Sequence, residues 1–356
     1  MAKKSPFNKT GFMKIPVTGL LLILVLGSAS CMRTVYVPTL KPAPVHLGSH
    51  IRNIAVVDRA TPENDSLTAR DVLTANIPNL NREAAQRAID GLVLNLDRSP
   101  GYNVLRTAER LTTPAVRGNW PPPLSWNEVE ELAEKYDSDA IIVLESFSSE
   151  FILTDGATRV PPRSEGGGGE ILRRRFYVEG IAGVKLGIRV YDLQMRSIAD
   201  EYMFNHNSRV KVEGNALQMV AGGLIDHRQA VNEAGFHSGR IYADRISPKW
   251  LRLNRDFFTK GRGNRDFKIG ARRATVNDWD GARQAWHESV NSRRRKTAGR
   301  SAYNLALMYE IAGDLELARE WAQHSYTDHR IRKARKYVYK LDRRIREQRI
   351  TANQMQ

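Results

Sequence analysis

The chain has 356 residues, enough for two modest cores, and its 41% hydrophobic and 26% charged content is that of a folded globule, not of a disordered or collagen-like chain. Its formal net charge of +16 is unevenly spread: residues 261–356 hold 22 Lys and Arg against 11 Asp and Glu, whereas residues 31–260 sum to only +1. A single cysteine, Cys31, excludes disulfides and thiolate zinc sites within one chain.

At the N-terminus Lys3, Lys4, Lys9 and Lys14 precede the apolar run VTGLLLILVL at 17–26, which is followed by Gly27, Ser28, Ala29, Ser30 and Cys31. That run is too short for a hydrocarbon layer, which takes roughly 20 residues, so residues 1–30 read as an export leader. The small residues before Cys31 resemble a lipobox, with Ser28 where an aliphatic residue is usual. The resemblance implies cleavage before Cys31 and a diacylglyceryl group on its sulfur, which also accounts for a lone thiol in an exported chain. Ordinary secretion, with Ser28 and Ser30 at the cleavage site, is the competing reading. Met32 in place of aspartate points to the outer membrane, with the protein facing the periplasm. Residues 31–48, with Pro38, Pro42 and Pro44, read as an extended tether.

Residues 49–260 carry α/β signals. The run IRNIAVV at 51–57 suits a buried strand, and residues 82–96 place Ala85, Ala88, Ile89, Leu92 and Leu96 at helical spacing, with Asn81 as the expected cap. A strand at 102–105 follows Pro100 and Gly101. Ser125 and Glu128 form a capping-box pattern at the start of a helix over 125–136, and a longer strand spans 139–151. Val178, Ala182, Val184, Leu186, Ile188 and Val190 alternate with Glu179, Lys185 and Arg189, which predicts a half-solvated strand and a hairpin partner at 198–204. A long helix is expected over 216–246, with Ala234, Gly235, Ser238, Gly239 and Ala243 on one side allowing close approach to a sheet, and Pro248 closing it.

The runs IAVVD, YNVLRTAERL, DAIIVLESF and IRVYDLQMRSI, in this order, resemble the α/β domain of curli-secretion and related periplasmic lipoproteins. The membrane hairpins of the pore formers have no counterpart, so neither a pore nor a ring is implied.

In residues 261–356 the segments 277–289 and 313–325 align at an offset of 36 and resemble the turn and second helix of a tetratricopeptide repeat. Asp278 and Asp314 fall in the turns, Trp279 and Leu315 follow them, and Ala282 and Ala318 take the helix crossings; Asn304, Leu305, Ala306 and Tyr309 fit a first helix, matched weakly by Gly270 and Arg273. Ile331, Ala334, Val338, Leu341 and Ile345 predict a capping helix with a basic outer face. The whole pattern, including WLRLNRDFF from Trp250, resembles a lipoprotein family of Bacteroidota that carries no assigned activity. The expected fold is therefore α+β, a mixed sheet covered by helices mainly on one face, followed by an all-α tetratricopeptide-like domain.

Chemistry motifs are missing. The glycine run 166–169 has neither a preceding strand nor a following Lys-Ser or Lys-Thr, no Gly-x-Ser-x-Gly occurs, the eight histidines lack His-Glu-x-x-His spacing, and Glu165 and Glu170 flank a loop. No catalytic residue, metal or cofactor is expected. The expectation is a non-enzymatic scaffold, lipidated on Cys31, that meets an envelope protein through Asn304, Tyr309, Arg283 and Arg319. The alternative is a binder of anionic lipid or lipopolysaccharide phosphates through Arg332, Lys333, Arg335, Lys336, Arg343 and Arg344. Nucleic acid is not expected as a partner of an exported chain, and homo-oligomerisation is left open.

Overall fold

The computed structural model describes residues 32–60, 79–111, 120–160, 173–214 and 226–356. The leader, Cys31 and the glycine run at 166–169 lie outside these residues. Two compact units divide the chain: Leu40–Leu251 with Arg346–Gln356, and Arg252–Ile345 with the chain up to Thr39.

In the first unit, β2 (Asn53–Asp58) lies between β3 (Asn103–Arg110) and β4 (Ala140–Val160), parallel to both. The antiparallel strands β5 (Arg173–Asp192) and β6 (Ser197–Gly214) complete the order β3-β2-β4-β5-β6. The centre of β2 and the start of β4 are apolar at every position because both faces are covered. Ile54, Val56, Ala140, Ile142 and Leu144 share a core with α1 (Leu80–Asp97) and α3 (His227–Ile246). Ala55, Val57, Ile141 and Val143 meet α2 (Trp126–Tyr136) on the opposite face. The sheet is thus mixed, with two described helices on one side and one on the other, as the α+β expectation requires.

Several local expectations hold. Ser125 caps α2 in a capping box with Glu128, helix α3 ends at Ile246 before Pro248, and the alternating residues from Ala182 to Val190 face the first core. Others are corrected. Helix α1 starts two residues earlier, at Leu80 after Asn79, and Asn81 instead accepts hydrogen bonds from the N–H and hydroxyl of Ser149. Of the helix expected over 216–246, residues 216–225 lie outside the described residues, and α3 starts at His227, where Asp226 takes an extended backbone and caps it by accepting from the Gln229 N–H at 3.1 Å. The small residues of α3 meet a helix, not the sheet: a Cβ on Gly235 or Gly239 would lie 2.4 Å or 1.8 Å from the Ala84 or Ala88 carbonyl of α1.

Arg189 was expected to face solvent but is 4% exposed. A β-bulge between Leu144 and Ser146 interrupts the β4–β5 register, and Glu145, at the bulge, is buried beside Arg189. The Glu145 carboxylate accepts from Arg59 and from the Tyr191 hydroxyl, each at 2.8 Å, and Arg189 lies 3.3 Å away with its guanidinium over the Trp120 ring. Burial and the adjacent carboxylate push the Tyr191 hydroxyl far up, so it stays a donor.

The second unit opens with a strand where a tether was expected. Strand β1 (Met32–Lys41) pairs with β7 (Lys249–Phe258), the segment from Trp250 noted in the sequence. Helices α4 (Arg265–Thr275), α5 (Trp279–Val290), α6 (Arg295–Ala312), α7 (Leu315–Thr327) and α8 (Arg332–Met355) follow. Asp278 and Asp314 stand at the N-caps of α5 and α7, each accepting at 3.0 Å from the N–H three residues on. Ala282 and Ala318 are fully buried, and Gly270 leaves room for the Trp286 indole, which a Cβ there would approach to 2.6 Å.

The α1–α3 contact yields the first prediction. Gly239→Ala forces the two helices apart and lowers unfolding free energy by about 3 kcal/mol in urea titration, whereas Arg240→Ala, on an exposed position, stays within about 0.5 kcal/mol.

Candidate functional site

Strand β7 leads into the part of the second unit where charge gathers. Arg255 donates from Nε and Nη2 to the two carboxylate oxygens of Glu310 at 2.8 and 2.9 Å, and Tyr337 and Arg344 donate to the same carboxylate. Glu310 is 1% exposed. Burial alone raises its pKa, but the Arg255 guanidinium, with help from Tyr337 and Arg344, outweighs that and holds the carboxyl below its ordinary range. Nearby, Asn304 accepts from the Phe258 N–H and donates to the Phe258 carbonyl, both at 2.8 Å, as a neighbouring strand would.

These bonds fix the end of β7 and hence the direction of residues 259–263. Gly263 takes a φ of +70°, a left-handed conformation that favours glycine, and a Cβ on Gly261 would lie 2.3 Å from the Phe267 ring. Asn264 then caps α4 by accepting from the Phe267 N–H at 2.8 Å.

A cleft of about 880 Å³ opens along this loop. Lys268 and Arg272, four residues apart on α4, form one wall with Ala271 and Thr275; Lys260 and Arg262 come from the loop, Arg300 from α6 and Arg33 from β1. Six cations line the cleft and none of the lining residues is acidic. Arg300 donates to the Lys260 carbonyl while its guanidinium sits 4.9 Å over the Phe258 ring, so its position is set by the same strand end. Arg33, Arg262, Lys268 and Arg272 have no ion pair within the described residues. In the first unit, by contrast, Arg175 and Lys211 share Glu213 on the sheet, and Arg228 of α3 pairs with Glu83 of α1.

The residues singled out in the sequence are dispersed. Asn304 is 0% exposed and held by Phe258, so its side chain does not face a partner. Tyr309 is half-buried with its hydroxyl 2.9 Å from Nε2 of His287, Arg283 lies 3.4 Å from Asp280, and Arg319 pairs with Asp342. Arg332, Lys333, Arg335, Lys336 and Arg343 are exposed on α8, but Arg344 is buried on Glu310, one of the charges that keeps that carboxylate ionised. Sequence reasoning passed over the cleft. Its trace there is the run Lys260-Gly261-Arg262-Gly263 between a strand and a helix, with Lys268 and Arg272 one turn apart behind it. Among the described residues no group of three or more His, Cys, Asp or Glu could hold a metal ion, and no helix is long and apolar enough to cross a membrane.

The family described as a domain of unknown function (DUF8603) matches residues 51–258, more than half of the chain. The chain belongs to that family. A second domain of unknown function (DUF6340) matches residues 268–343, which include the cleft wall on α4 and most of the helical pairs. Among solved structures, a neuraminyllactose-binding hemagglutinin homolog from Helicobacter pylori is 9% identical, with 55% of this chain and 83% of that one covered at a TM-score of 0.26. The hypothetical protein CT253 from Chlamydia trachomatis is 12% identical, with 44% and 72% covered at a TM-score of 0.16. No curated protein matches the chain.

Glu310 supplies the second prediction. Glu310→Gln leaves Arg255 and Arg344 buried without their counter-charge and costs about 3 kcal/mol of unfolding free energy at neutral pH. Because the folded-state pKa is depressed, the wild-type advantage is present above the unfolded value of about 4.3 and is lost as pH falls through the folded one. Denaturant titrations across that range therefore show the gap between the two proteins narrowing with acid.

Proposed function

We propose that this protein is a lipid-anchored, non-enzymatic envelope scaffold, held at the outer membrane by an acylated Cys31 and presenting its helical unit to a protein partner. The observation that carries the reading is the repetition in that unit. Two helical pairs, α4 with α5 and α6 with α7, share an aspartate N-cap and a fully buried alanine at equivalent positions 36 residues apart. Such stacked pairs bury what one pair alone leaves exposed, and their outer faces form extended binding surfaces in tetratricopeptide-type proteins. On this chain those faces carry the half-buried Arg283 beside Asp280 and, in the turn after α4, Val276, which is 73% exposed. The leader pattern and Met32 support the address, and the strand β1 that begins at Met32 leaves little slack between the anchor and the second unit.

Two measurements test this. Intact mass of the mature protein shows a chain beginning at Cys31 and carrying acyl groups; an unmodified thiol or a retained leader removes the anchor. Crosslinking in cells at native expression yields a specific heteromeric product that Arg283→Glu together with Val276→Asp abolishes without changing the thermal unfolding midpoint. Recovery of the monomer alone removes the scaffold.

A further inference from the structure

In the cleft beside residues 259–263, Arg33, Arg262, Lys268 and Arg272 face one open space without an ion pair among the described residues. Like charges held close repel one another even in water, so four cations without an ion pair around one space favour an anion that arrives from outside. The cluster is also built. Arg300 is pinned by the Phe258 ring and the Lys260 carbonyl, Lys268 and Arg272 project from a capped helix, and the glycines at 261 and 263 keep side-chain bulk off the loop side. Arginines in this arrangement favour phosphate, which they grip through two parallel N–H donors. A space of about 880 Å³ accepts a headgroup-sized anion.

The position of Arg33 decides which phosphate. It lines the cleft and stands two residues after Cys31, so no more than about 7 Å of backbone separates it from the expected acylation site. A chain anchored through that sulfur holds this cleft at the headgroup layer. We propose that the cleft seats the phosphate of an anionic phospholipid headgroup beside the protein's own anchor, orienting the helical unit on the bilayer. A lipid chain alone gives weak, unoriented attachment, and a basic site next to it supplies a second signal. The inference rests on the anchoring proposed above, but it concerns residues that act whether or not the sulfur is acylated.

The test uses the mature chain with Cys31→Ser, so that binding reports the cleft without the acyl group, while the mass measurement above reports the anchor separately. Flotation with vesicles of phosphatidylglycerol and phosphatidylcholine shows binding that falls as salt is raised from about 50 to about 300 mM and is lost on phosphatidylcholine alone. The pair Lys268→Glu and Arg272→Glu weakens binding more than tenfold, at roughly fivefold per cation, and Arg33→Ser, which leaves the helices untouched, weakens it about fivefold. Arg335→Glu with Lys336→Glu, an equal change of net charge on exposed positions of α8, changes it less than threefold. Equal loss from the two charge-reversed pairs, or no vesicle binding by the Cys31→Ser parent, overturns the proposal. Displacement from vesicles by sub-millimolar inorganic phosphate reassigns the cleft to a free anion and overturns it too.

Discussion

The buried carboxylate of Glu310 is the interaction on which the second unit turns. An ionised group in the interior is tolerated only when its charge and lone pairs are met, and here two arginines and a tyrosine from a strand and the last helix do so. A hydrophobic residue there would avoid the desolvation cost but would not tell β7 where to lie. With Arg255 fixed by Glu310 and Phe258 fixed by Asn304, both on α6, the strand has one register on the helices. The loop that follows inherits that register, and Arg300, one helical turn before Asn304, closes it from the same helix.

The first unit solves a similar problem with a sheet. Covering both faces of β2 and of the start of β4 removes nearly all polar options there, and the charged cluster of Glu145, Arg59 and Arg189 sits where the β4 bulge follows that stretch. The two helices on the broader face approach so closely that backbone of one touches backbone of the other at Gly91, Gly235 and Gly239. Packing at that distance uses dispersion between main chains and leaves no room for a methyl group.

Charge divides the molecule by function. Pairs on the sheet surface neutralise one another, and the pairs inside the two units set geometry. The excess of the C-terminal region lies on the exposed face of α8, on the exposed run 293–296 and in the cleft, where several cations without an ion pair face one concave space. In the proposed lipid-anchored state, the scaffold reading and the headgroup reading concern different surfaces of one unit: an oriented attachment fixes which helical faces remain open to a partner.

Much of this was legible in the sequence wherever a local rule applies. The capping box of Ser125 and Glu128, the aspartates Asp278 and Asp314 at helix starts, the buried alanines that follow them and the alternation of β5 all depend on residues a few positions apart, and spacing alone determines them. Asn304 also announced itself, but as a surface residue; its burial depends on Phe258, which lies 46 positions away. The same holds for Arg189, which alternation places on a solvated face and the bulge at Glu145 buries, and for Arg344, a surface cation by pattern that the carboxylate of Glu310 draws inward. The cleft is the clearest case, since Arg33, Lys268 and Arg300 have no sequence relationship to one another and meet only when β1, α4 and α6 have packed. Sequence determined most of the elements, several of their caps and the surplus of positive charge; the tertiary structure decided that residues 32–41 pair as a strand, which charges are paired and which face an open space, because strand pairing and long-range electrostatics follow from distances that no local periodicity encodes.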